Sequence, residues 1–301
     1  MKTLYTQKSS NIRKTWLLFT LFLIIVIAVG WVFSQAYGNP SILYFAVIFS
    51  VLMNVIAYWY SDKIVLKMAR AIPIEHKNAP ELYNIVENLC ITAGLPMPKI
   101  YLVREAQPNA FATGRNPKHA VVVVTEGLLE KLDRSELEGV LAHELSHIGN
   151  RDMLLSTVIV VLVGFISILS DIFLRSRLFG GFRSRNDREG GQIGAILMLA
   201  GVVLAILAPI SAMLMQLAIS RKRELLADTS GVLLTRYPEG LASALEKISA
   251  DNTPMRAANN TTAHLWLESP FKGKHKTSWL SKLFMTHPPV EERIAALREV
   301  E

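Results

Sequence analysis

Leu141-Ala142-His143-Glu144-Leu145-Ser146-His147 sets two histidines four residues apart, with a glutamate directly after the first. On a helix, positions i and i+4 stack on one face, so both imidazoles address a single point. Glu144 lies one residue round, where its carboxylate reaches a water held at that point. Two neutral nitrogen ligands and a general base are the parts of a hydrolytic zinc site. With seven histidines in 301 residues, chance places such an H-E-x-x-H roughly 1% of the time.

The flanking residues predict the helix this spacing requires. Asp133 and Glu136 form a D-x-x-E capping box before it. Leu137, Val140, Leu141, Leu145 and Ile148 recur at helical spacing, and Gly149 is placed to end it.

Catalytic zinc needs a third protein ligand. The H-x-x-G-x-x-H continuation would put a histidine at position 153, which is Met153. A carboxylate on a second helix is the other solution. Ser220-Arg221-Lys222-Arg223-Glu224-Leu225-Leu226-Ala227-Asp228 supplies Glu224 and Asp228 four residues apart on one face. Glu224 is the expected ligand. Asp228 is expected to accept the N–H of a ligand histidine and fix its tautomer. The plain alternative is a solvated helical face with local Arg–Glu pairs. Glu246 and Glu268 are the next ligand candidates.

Four apolar runs surround these segments and account for a mean hydropathy of +0.31. Trp16 to Phe33, Ser41 to Tyr60 and Ile193 to Ile219 hold no charge, and Leu154 to Leu174 holds only Asp171, expected at an interface. Each is long enough to cross a hydrocarbon core of about 30 Å. The first follows Lys2, Lys8, Arg13 and Lys14 but lacks a small-residue cleavage site, so a membrane hairpin is expected rather than a signal peptide. Basic residues before the first run and after the second (Lys63, Lys67, Arg70) assign both ends of that hairpin to the cytoplasm. The loop from Arg175 to Gln192 is also basic, which opposes two full crossings by the third and fourth runs. They either span regardless or form a hairpin that stays cytoplasmic.

The expected organisation is therefore an α-rich integral membrane protein. Residues 1–60 form a transmembrane hairpin, 61–152 and 220–301 form a cytoplasmic α+β domain, and 153–219 interrupt it as a second apolar hairpin, giving up to four transmembrane helices. Within the domain, a helix is expected from Ala79-Pro80 to Gly94, capped by Asn78. Strands are expected at Lys99 to Val103, Asn109 to Gly114 and His119 to Thr125, with a helical turn at Leu128 to Leu132. Helices are expected at Ser220 to Leu234, Pro238 to Ala250 and Val290 to Val300, and mostly loop from Asp251 to Met285.

Cys90 is the single cysteine, which excludes an internal disulfide and a cysteine-ligated zinc. The net charge of +7 includes four positive residues at the amino terminus and needs no nucleic-acid partner. His76, His119, His264 and His275 have no partner at ligand spacing, and surface roles are expected for them.

Nearly the whole chain resembles the HtpX-type membrane zinc endopeptidases, relatives of the CAAX prenyl proteases. The resemblance rests on the amino-terminal hairpin, Asn109-Ala110-Phe111-Ala112, the zinc motif, the interrupting apolar pair, S-R-K-R-E-L-L-A-D and Thr286-His287-Pro288-Pro289. It implies a gluzincin-type protease domain, one Zn²⁺ held by His143, His147 and Glu224, and Glu144 as the base. It further implies Asn109 to Ala112 as an edge strand that holds an extended polypeptide. The implied setting is a bacterial plasma membrane, multi-pass, with damaged or misfolded membrane proteins as substrates in quality control and the stress response. The tetrahedral oxyanion needs a donor beside the metal. His287 is the candidate, with Arg293 in reserve; a helix-start residue is the plain alternative for His287. Rival readings are a CAAX-type protease, which in that family has more membrane helices, and a catalytically silent membrane scaffold or transporter. Intact Glu144 opposes a silent scaffold, and the lack of paired intramembrane charges opposes a transporter.

Overall fold

The computed structural model describes residues 4–165, 221–256, 262–271 and 289–299. Ten helices lie in these segments, labelled α1 (Leu4–Tyr37), α2 (Ser41–Trp59), α3 (Ser61–Met68), α4 (Pro80–Ala93), α5 (Glu126–Lys131), α6 (Arg134–Asn150), α7 (Met153–Phe165), α8 (Arg221–Thr235), α9 (Pro238–Ala250) and α10 (Val290–Arg298). Four strands accompany them: β1 (Ile72–Pro73), β2 (Lys99–Val103), β3 (Ala110–Gly114) and β4 (Ala120–Thr125).

The apolar runs behave as their composition dictates where they are described. Ser9–Gln35 and Ser41–Trp59 are long and apolar enough to cross a membrane, and they pack against each other as a hairpin. Leu18, Phe19 and Phe22 of α1 bury against Leu155, Val158, Ile159 and Leu162 of α7. The third run begins in α7, which leaves α6 through a bend of 85°. The rest of that run, with Asp171, the Arg175 to Gln192 loop and the fourth run, lies outside the described residues.

The strands form one sheet of order β1-β2-β4-β3, with β2 parallel to β4 and the other two pairings antiparallel. Every residue of β4 is buried, because helices cover both faces. Ala120, Val122 and Val124 join α4 (Leu82, Ile85, Val86) and α6 (Val140, Leu141, Leu145) on one side. Val121 and Val123 join Val65 and Leu66 of α3, Ala69 just after it, Val160 of α7 and Trp266 on the other. Val-rich continuity rather than alternation suits a strand buried on both faces.

The helix that carries the H-E-x-x-H is fixed at its start as expected. Asp133 Oδ1 accepts the Glu136 amide at 3.0 Å and Glu136 Oε2 accepts the Asp133 amide at 2.9 Å, closing the capping box. Lys247 of α9 bonds the same Glu136 at 2.6 Å. Helix α8 then approaches α6 closely enough that a Cβ on Gly231 would lie 3.1 Å from the His143 amide nitrogen. Gly139 makes a similar approach to α9, its added Cβ falling 2.7 Å from the Leu241 nitrogen. Glycine at these two crossings lets the backbones meet without a side chain between them.

Several local expectations are corrected. Ala79, not Asn78, occupies the cap position before α4, and no side chain caps the helix; Asn78 closes a short 3₁₀ turn instead. Helix α6 passes through Gly149 and ends one residue later, and the chain turns at Arg151, whose φ of 55° is left-handed. His264 is buried in a 3₁₀ turn, with Nε2 3.4 Å from the Ser156 carbonyl, because residues 262–271 fold onto the sheet rather than loop into solvent. His76 and His119 are exposed as expected. His275 lies outside the described residues. The two-residue β1 gave no strand pattern in the sequence.

Candidate metal centre

His143 and His147 meet edge to face with their Nε2 atoms 3.1 Å apart. Glu224 comes from α8 opposite, Oε2 lying 3.7 Å from His143 Nε2 and Oε1 3.8 Å from His147 Nε2. The three ligand atoms fall within 4.8 Å of one another. Glu144 is buried beside them.

The opposite edges of both rings are held by carboxylates. His143 Nδ1 donates to Asp228 Oδ1 at 2.8 Å, as its spacing from Glu224 suggested. His147 Nδ1 donates to Asp152 Oδ2 at 3.0 Å. Each Nδ1 thus keeps its proton and each Nε2 is left with a lone pair. Two lone pairs and a carboxylate converging on one point repel unless a cation sits among them. The carboxylates state the same demand in charge. Burial alone would depress the His147 imidazolium, yet Asp152, with Glu224 and Glu144, raises it to about 10, so the surroundings favour a positive charge on this ring, which a metal at Nε2 supplies in place of the proton. The chemistry of this donor set fits a zinc ion.

Asp228 is itself buttressed. Its Oδ1 and Oδ2 accept Arg293 Nη2 at 2.7 Å and Nε at 2.9 Å. Burial would raise the Asp228 carboxyl, but Arg293 and then His143 hold it at about 2. Arg293 is fully buried. Among the described residues its Nη1 has no hydrogen-bond partner, so that atom alone is left for the reserve donor role. His287 lies outside the described residues. Two residues on, Pro289 immediately precedes α10, which packs on α8 and α9.

Asp152 is the residue that sequence reasoning missed. It follows His147 by five positions and lies past the helix end, off any i, i+4 pattern. Only the turn at Arg151 brings it back to the ring. Arg223, also buried, acts electrostatically on both Asp152 and Glu224. Asp152→Ala is expected to weaken metal retention about 10–100-fold, the range for partners that orient a ligand. Competition against a chelator of known affinity measures it, and unchanged retention would deny Asp152 that role.

The strand Asn109 to Ala112 is partly occupied from within the chain. Asn109 Nδ2 donates to the Glu268 carbonyl at 2.8 Å, Oδ1 accepts the Glu268 amide at 3.1 Å, and the Ala110 carbonyl accepts the Leu267 amide at 2.9 Å. The Thr125 amide bonds the Asn109 carbonyl, so Phe111 and Thr113 face β4 in the alternating antiparallel pattern. Ala112 therefore directs its N–H and C=O to the outer edge. The expected substrate-holding edge contracts from Asn109, Ala110, Phe111 and Ala112 toward Ala112, and Phe111 is a core residue set edge-on against Trp266.

Such a domain, hung on apolar helices, is that of a membrane metallopeptidase. The chain belongs to peptidase family M48, which it matches over residues 76–301, and within it to the HtpX-type proteases. A protease HtpX homolog of Caldanaerobacter subterraneus subsp. tengcongensis is 48% identical over 99% of this chain and 98% of its own length. Another, of Thermococcus kodakarensis, is 46% identical over 95% of each. The crystal structure of S. mikatae Ste24p shares the fold at a TM-score of 0.50 and 21% identity, covering 94% of this chain and 66% of that one.

Proposed function

We propose that this chain is a zinc endopeptidase that cleaves damaged or misfolded membrane proteins at the cytoplasmic face of a bacterial plasma membrane. The convergence of His143, His147 and Glu224 on one point carries the reading. Its placement supports a membrane substrate, since α6 runs into α7 and α7 is packed by the apolar hairpin. One Zn²⁺ per chain would be held by those three side chains.

When bound there, zinc lowers the pKa of water toward about 7 and polarises the scissile carbonyl. Glu144 accepts the proton of the attacking water on its carboxylate and delivers it to the leaving amine nitrogen. Asp228 and Asp152 keep the two rings in the tautomer that presents Nε2. The outward N–H and C=O of Ala112 pair with an extended polypeptide. His287 donates to the oxyanion, with Arg293 Nη1 in reserve.

The test is metal removal from the full chain in proteoliposomes. Chelation is expected to abolish cleavage of an unfolded membrane protein, and one equivalent of Zn²⁺ to restore it. Cleavage that survives complete chelation would end the proposal. Single cysteines at exposed Lys67 and Glu246, in a Cys90→Ser background, are expected to label from the cytoplasmic side. Labelling from opposite sides would refute the assigned orientation.

A further inference from the structure

We propose that Asn11, at the start of the membrane hairpin, is a positioning residue for the metal site. It holds the corner between α6 and α7 that presents Asp152 to His147. This rests on the metal reading above and adds to it a residue more than 130 positions away in sequence.

Asn11 is 1% exposed, a polar side chain buried near the start of the Ser9–Gln35 span. A buried amide must find partners or it costs stability. Its Nδ2 donates to the carbonyl of Asn150 at 3.3 Å. Asn150 is the last residue of α6, and helix-end carbonyls need partners from outside the helix. One turn on, Thr15 Oγ1 donates to the Asn11 carbonyl at 3.0 Å. Beyond it, Leu18, Phe19 and Phe22 grip α7. Helix α1 thus clasps both arms of the corner, α6 through one hydrogen bond and α7 through apolar packing.

The corner is short. His147 and Asp152 are five residues apart, joined through Asn150 and the left-handed Arg151. Their 3.0 Å bond closes that short loop directly across the corner. A shift of the Asn150 carbonyl therefore moves the carboxylate that orients the ring. Without Asn11, α7 keeps its grip while the end of α6 is released, and the ring loses register with His143 and Glu224.

Asn54 provides the control. Its Nδ2 donates to the Phe19 carbonyl at 3.1 Å within the same hairpin and does not reach α6. In the full-length protein in lipid, zinc loss to excess chelator is followed for the parent, Asn11→Leu, Asn54→Leu, Asp152→Ala and Asn11→Leu/Asp152→Ala. Asn11→Leu is expected to speed zinc loss about threefold to tenfold, less than the roughly 10–100-fold for a residue bonded directly to a ligand. Asn54→Leu is expected to match the parent. In the Asp152→Ala background, Asn11→Leu is expected to add nothing, the signature of two residues acting through one contact. The visible spectrum of the Co²⁺-substituted protein is expected to shift in Asn11→Leu and not in Asn54→Leu. If Asn11→Leu does not fold, Asn11→Thr, too short to reach Asn150, carries the same expectation. Equal zinc loss from the Asn11 and Asn54 variants, or additive effects of Asn11→Leu and Asp152→Ala, would overturn the proposal. A parent that retains no zinc would instead overturn the function proposed above.

Discussion

Glu144→Gln is expected to keep its metal and lose peptide hydrolysis by about 10²–10⁴-fold, the usual contribution of a positioned general base. The substitution is nearly isosteric, and the atoms that converge on the metal belong to His143, His147 and Glu224. Zinc content per chain is therefore expected to equal that of the parent. The amide accepts no proton, so both halves of the transfer fail, from the water and to the leaving amine. Removing Glu144 also takes one negative charge from the neighbourhood of His147, but Asp152 and Glu224 outrank it there. Substrate binding is expected to change little, so the loss falls on kcat rather than KM. Near-parental turnover with full zinc content would remove Glu144 from the mechanism.

Asp228→Ala is expected to have the largest effect on stability. It strands the Arg293 guanidinium, which is fully buried and bonded to Asp228 by two nitrogens. Breaking a buried pair on one side costs about 3–5 kcal/mol, because the remaining charge is left without its counter-charge. The His143 ring loses its Nδ1 acceptor in the same step, so metal retention is expected to fall about 10–100-fold as well. A second substitution separates the two consequences. Asp228→Ala/Arg293→Met removes the stranded charge and is expected to recover most of the stability, but not the metal affinity. Thermal unfolding of the lipid-embedded protein reads the first and chelator competition the second. Recovery of both together would mean that Asp228 does not orient His143. The pH dependence has a definite sign. The Asp228 carboxyl is held at about 2, so its contribution is complete above the ordinary carboxylate range and fades only as pH falls through about 2. The deficit of the single variant is expected to be the same at pH 5 and pH 8.

What the sequence made legible is what its neighbours determine. The capping box, the H-E-x-x-H and the Glu224–Asp228 pair each lie within one or two helical turns, so their spacing alone set their directions. The four-valine run of β4 likewise announced a buried strand, and its coverage on both faces came from the packing of α4 and α6 on one side and α3 and α7 on the other. What stayed illegible depended on chain reversals and distant partners. Asp152 reaches His147 only because Arg151 adopts a left-handed turn, which no residue preference there announces. Asn109 reads as a residue waiting for a substrate until residues 266–269, over 150 positions later, are found folded against it. His264 reads as a surface histidine for the same reason. Arg293 looked like a donor to substrate, and burial turns most of its hydrogen-bonding capacity inward to Asp228.

The ligand set has a consequence for biosynthesis. His143 and His147 leave the ribosome well before Glu224, and the helix that carries Arg293 follows later still. The nascent chain can therefore insert its first hairpin and begin to fold its sheet while lacking a third ligand. Long-range pairings form last because the intervening chain must first be closed into a loop. Here that loop contains the second apolar pair, so Glu224 joins the two histidines only after those segments have been made. A membrane metallopeptidase built in this order lacks its third ligand during the interval when it is itself incompletely folded.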